Sequence, residues 1–185
     1  MSGVIALALV AAVVGALVWL YNSLVGLRNQ VRSAWAQIDV QLKRRHDLIP
    51  NLVAAVEGYL RHERELFERI AAARTRALAA TGAGAIGAAE GALTQAVGGL
   101  LAVMERYPDL KANQNVLGLQ EELVTTENRI GFARQLYNDL AARYNTRQQV
   151  FPANLVAGAL GFEPSEFFQA AETDRQLPRV AFGAR

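Results

Sequence analysis

The sequence predicts an all-α protein: a single N-terminal transmembrane helix that continues into an elongated antiparallel helical bundle, with a short C-terminal helix and tail. Three observations predict it. An apolar stretch without a charge opens the chain, apolar residues then recur at spacings of three and four, and no segment alternates with the two-residue period of a strand. At 185 residues there is room for one domain and a short appendage. We divide the chain into an anchor, 1–27, and a cytoplasmic bundle, 28–185.

The anchor rests on Gly3–Leu20, built only from Ala, Val, Leu, Ile, Gly and Trp. As a helix it is roughly 27 Å long, close to the thickness of a bilayer core. Trp19 and Tyr21 close it, where interfacial aromatics favour the headgroup level. A cleaved signal peptide would need a basic start and a small-residue cleavage site. Here nothing basic precedes the run and Trp-Leu-Tyr-Asn-Ser follows it, so an uncleaved anchor is expected. Arg28, Arg32, Lys43, Arg44 and Arg45 all follow the run, which keeps that side in the cytosol and leaves a short N-terminus outside.

Beyond Asn22 a 4-3 seam runs from Val31 through Ile38, Leu42, Arg45, Leu52, Val56, Tyr59, Glu63 and Leu66 to Ala77. It predicts one helix from Asn29 to Ala80, kinked and not broken at Pro50, whose ring removes the bond to the His46 carbonyl. Thr81–Gly91 is Ala/Gly-rich and reads as a turn or weak helix start. A second helix is expected from Ala88 to Glu105, and a third from Lys111 to Gln149 on the stripe Val116, Leu123, Thr126, Ile130, Tyr137, Leu140, Tyr144, Arg147 and Phe151. Asn154–Leu160 allows two turns, and residues 165–185 a short helix and tail. With these lengths the third helix overshoots the first by about 20–30 Å. Its continuing stripe of Leu140, Tyr144 and Phe151 then predicts a homo-oligomer, unless the segment with Phe162, Phe167 and Phe168 folds back over it.

Chemistry is sparse. There is no Cys, so disulfides, thiol catalysis and iron–sulfur sites are excluded. The net charge of +2 gives no field that calls for nucleic acid. Gly82, Gly84 and Gly87 spell G-x-G-x-x-G, but a helix precedes them where a dinucleotide site needs a strand. His62-Glu63 opens a zinc-protease motif that Leu66 fails to complete. His46 and His62 stand roughly 24 Å apart along one helix and cannot share a metal within it. Lys43-Arg44-Arg45 reads as a solvated helical turn, with Asp39 and Lys43 as an i,i+4 pair. We therefore assign no catalytic, cofactor-binding or metal-ligating residues, expect no cofactor and read the chain as a non-enzyme. One segment, Glu121–Asp139, is dense in hydrogen-bonding residues. Together with Arg45 and Arg147 on the seams, it reads as buried pairs that fix register or as a binding face.

The segments YNSLVGLRNQV (21–31) and AWAQIDVQLKRRHDLIPNLV (34–53) resemble the LemA family, as do Gly58–Glu63, Leu119–Leu123 through Tyr137–Asp139, Tyr144-Asn145, Phe151-Pro152 and Arg175–Phe182. Departures are confined to Thr81–Gly91. The resemblance implies a bacterial inner-membrane protein with a cytoplasmic helical bundle and no established enzymatic activity. One branch of that family is associated with building magnetosome membranes, and others with membrane proteases and envelope stress. The expected partners are the lipid bilayer, further copies of the chain, and a membrane protein such as a protease or sensor. The expected role is a membrane-anchored scaffold that self-associates, the alternative an adaptor for such a partner.

Overall fold

The structure, a computed structural model, describes residues 1–168. Six helices follow in order: α1 (Ser2–Val56), α2 (Arg64–Ala79), α3 (Ala83–Met104), α4 (Pro108–Ala112), α5 (Gln114–Gln149) and α6 (Ala153–Ala159). The described residues contain no strand, so the all-α class holds. They form two compact units, one of Met1–Leu42 with Asn128–Phe167 and one built on Lys43–Glu127.

In the first unit, the side chains from Val4 to Trp19 stand exposed, and α1 is long and apolar enough there to cross a membrane. Burial begins at Leu20 and Leu24, which pack on Ala153, Val156 and Ala157 of α6 and on Phe162. The C-terminal part of α5 returns antiparallel along α1: Tyr137 meets Trp35 edge-on at 5.3 Å, and the Arg147 guanidinium lies 5.2 Å from the Trp19 ring. Val31, Ala34, Ile38, Ile130, Ala133, Tyr137, Ala141 and Tyr144 fill the space between them. Segment 161–167 then folds back over α5. Asn145 holds the Ser165 backbone at both N–H and carbonyl, and the Tyr137 hydroxyl donates to the Glu166 carbonyl at 2.7 Å.

In the second unit, the end of α1, α2, α3, α4 and the start of α5 share one core around Leu52, Val56, Leu60, Ile70, Leu93 and Leu100. α3 also has the length and composition to cross a membrane. Its Leu93, Val97, Leu100 and Met104 are instead committed to this core. Gly82, at φ 85°, turns the chain from α2 into α3 in a conformation that glycine alone adopts cheaply. Of the G-x-G-x-x-G letters, Gly82 thus caps α3, and Gly84 and Gly87 lie within its first turns.

Four expectations need correction. The helix expected to run from Asn29 to Ala80 ends at Val56, and α2 is a separate helix. Pro50 is carried inside α1, and the break comes later, at Glu57–Glu63. A tightened turn, with the Tyr59 N–H on the Val56 carbonyl, reverses the chain. Leu60, fully buried, plugs the core beneath the turn, while Tyr59 is left exposed. The second helix starts at Ala83 and not Ala88, because the Ala-rich stretch after Gly82 favours helix. The third is two helices, α4 and α5, separated at Asn113, whose side-chain oxygen accepts from the Asn115 and Val116 N–H groups. The overshoot also disappears. With one more reversal, α5 runs back along α1, Tyr144 is buried and Leu140 half-buried. The short C-terminal helix is α6. No helix forms at 165–168, and the rest of the expected 165–185 helix and tail lies outside the described residues.

Candidate functional site

The polar feature with the most directed contacts lies inside the second unit. Arg45 projects from the seam of α1 into the space between α3 and α5, and its side chain is about 1% exposed. Its Nη1 donates to Glu90 Oε2 at 3.1 Å, Nη2 to Thr94 Oγ1 at 2.8 Å, and Nε lies 2.8 Å from Glu127 Oε1. His46 Nε2 lies 2.6 Å from the other Glu90 oxygen. Both Glu90 oxygens are therefore held by groups from one turn of α1. Thr94 donates back to the Glu90 carbonyl, which fixes the α3 side of the arrangement. A buried charge is tolerated only when paired and hydrogen-bonded, and here every partner comes from within the unit. The arrangement can lock helix register; it leaves no Glu90 oxygen free for chemistry.

Around it, the cations of Lys43-Arg44-Arg45 each face a carboxylate. Lys43 pairs with Asp47 at 3.1 Å and Arg44 with Glu122 at 3.4 Å, both exposed. The expected Asp39–Lys43 pair does not form. Asp39 accepts instead from Trp35; its carboxyl is raised above its ordinary value by partial burial, and the Trp35 bond opposes that rise. His62 falls in the turn after α1. Among the described residues, no three His, Cys, Asp or Glu side chains gather as a metal site.

The Glu121–Asp139 segment divides by face. Thr126 and Glu127 serve internal packing, as does Tyr137. Burial holds the Tyr137 phenol above its ordinary value, and the Glu166 charge adds to the rise. Phe132 and Leu136 face outward instead, 74% and 44% exposed, and with Val40 of α1 they line an open groove of about 530 Å³ in the first unit. Arg129, Gln37 and Gln41 supply its polar edge. Seam periodicity passes over this groove because its residues lie off the 3-4 stripe. The available signal is two large apolar residues one helical turn apart on an otherwise polar face. Glu90 is missed for a different reason. It stands in the Ala/Gly stretch that reads as low complexity.

Comparison with known proteins gives the setting. The LemA family matches residues 34–182. Magnetosome protein MamQ 2 and MamQ 1 of Paramagnetospirillum magneticum are each 27% identical over 192 residues, covering 90% of this chain and 71% of the relative. Protein LemA of Metamycoplasma hominis is 28% identical over 156 residues, covering 83% of this chain and 71% of its own. With most of its length inside the family match, the chain belongs to the LemA family.

Proposed function

We propose that the protein is a membrane-anchored helical scaffold whose copies associate through the groove of Val40, Phe132 and Leu136, and that it catalyses no reaction. α1 holds it in the bacterial cytoplasmic membrane, with the bundle in the cytosol. The observation that carries this reading is the groove itself. The exposed Phe132 forms one wall of an open apolar depression with Val40 and Leu136, a single patch of the kind that an isologous two-fold contact uses on both copies. Relatives named as magnetosome proteins support the membrane setting, and the Lys/Arg residues following the apolar run support the orientation. The Glu90 carboxylate, enclosed and paired on both oxygens, serves the bundle and not a substrate.

Because the chain has no Cys, a single Phe132→Cys substitution reports the contact directly. Oxidation in intact membranes should yield a disulfide-linked dimer, while Leu78→Cys on exposed α2 should not. Phe132→Glu should lower the yield of dimer formed by chemical cross-linking. A stoichiometric membrane protease or sensor captured at Phe132 in place of a second copy would convert the scaffold into an adaptor. External protease on intact cells checks the orientation: cleavage of the bundle would reverse it.

A further inference from the structure

We propose that α6 and its flanks form a second membrane contact, a small apolar foot that rests on the bilayer beside the anchor. The inference builds on the transmembrane reading of Gly3–Leu20. One face of α6, Ala153, Val156 and Ala157, is buried against Leu20 and Leu24. That fixes the height of α6: it sits level with the end of the apolar run, within a turn or so of helix α1. The other side carries one polar side chain, Asn154, and is otherwise Leu155, Gly158 and Ala159, with apolar residues flanking the helix, unlike the charged face of a solvent-facing helix. Phe151 is 79% exposed, Leu155 62% and Leu160 57%.

The neighbours match a headgroup layer. Trp19 and Tyr21 stand at the same height, and Arg147 over the Trp19 ring and Arg28 over the Phe162 ring place guanidinium groups beside these aromatics. An apolar tip flanked by aromatic rings and arginines fits the boundary between acyl chains and phosphates. The bilayer is the occupant that this position supplies. Wherever the run crosses, lipid surrounds its end, and α6 is packed on that end. The foot therefore needs no partner protein.

The experiment uses full-length protein in vesicles of phosphatidylethanolamine and phosphatidylglycerol. An environment-sensitive fluorophore is placed on single cysteines replacing Phe151, Leu155 or Leu160, each already exposed. Leu9→Cys reports the anchor, and Leu78→Cys reports water. Labels at 151 and 155 should emit to the blue of the Leu78 label and be quenched by lipids with a spin label near the headgroup. The Leu9 label should respond most to a deeply placed spin label. Quenching at Leu9 with none at 151, 155 and 160 overturns the foot and leaves the anchor standing. Loss of quenching at Leu9 overturns both. A blue shift at 151 that grows with protein density and ignores lipid quenchers would mean that a second copy covers the face, and would also overturn the proposal.

Discussion

Arg74 of α2 donates its Nε to the His46 carbonyl of α1 at 3.0 Å. That carbonyl is the one whose helical donor Pro50 removes, since proline has no N–H to return to it. The proline is thus tolerated inside α1 because a neighbouring helix replaces the lost bond. The same contact ties α2 to α1 on the turn of helix that carries the buried ion pairs.

Arg74→Leu should leave the His46 carbonyl without this donor and cost ~1–3 kcal/mol. In a Pro50→Ala background the helix can supply its own N–H, so the same change should cost less. Thermal unfolding of the four variants measures the coupling. Additive effects would mean that the Arg74 contact does not substitute for the missing bond.

Removing one partner from the enclosed cluster should be severe. Glu90→Ala leaves Arg45 without one of its two carboxylates and His46 without its Nε2 partner, and should cost ~3–5 kcal/mol. Replacing the pair together, Arg45→Met with Glu90→Leu, should cost less, because the two enclosed charges go together and the carboxylate left behind, Glu127, is 31% exposed and can be hydrated. Denaturant titration in mild detergent compares them. Equal losses would show that the charges matter only as packing volume.

Seam residues set the scale for ordinary core damage. Leu52 and Ile130 are buried, and truncating either to Ala should cost ~2–5 kcal/mol. Gln37→Ala, on the exposed face, should stay within about 0.5 kcal/mol. Similar melting shifts for all three would contradict the burial pattern.

The buried phenols predict loss of stability in alkali. Burial raises both Tyr137 and Tyr144 above the ordinary value of 10.0. The folded state therefore holds these protons more tightly than the unfolded chain. Stability is fully present below pH ~10 and falls as pH rises through the raised folded values. Tyr144→Phe should flatten part of that fall. Melting temperature against pH, with phenolate absorbance read alongside, tests the sign; a rise in stability above pH 10 would refute it.

How much was legible in the sequence depended on what periodicity can see. The long apolar N-terminal helix followed from a run without a charge, and the α5 stripe as far as Tyr144, with the buried Ile38, Leu52 and Ile130, from spacing; Phe151, placed on the same stripe, is exposed. The turn at 57–63 did not, because it occupies one heptad. Val56, Tyr59, Glu63 and Leu66 stay in phase across a chain reversal, so the 4-3 pattern runs on through a bend. Only Gly58, and the weakness of Tyr59 and Glu63 as core residues, signalled it. That single reversal then inverted the direction assigned to every later helix. The charged seam residue Arg45 pointed to buried pairing, yet its partner Glu90 lay in a stretch whose composition conceals it.

The antiparallel return of α5 onto α1 has a consequence in time. Trp35 and Val31 emerge from the ribosome early, whereas Tyr137 and Tyr144, which lie beside them, follow more than a hundred residues later. At ~5–20 residues per second, the chain between Trp35 and Tyr137 takes roughly 5–20 s to appear. Throughout that interval this flank of α1 lacks the α5 residues that cover it. Several chains elongating on one polysome therefore expose this flank at the same time. Rare codons placed between Met104 and Asn128 would lengthen that exposure, and fast ones would shorten it.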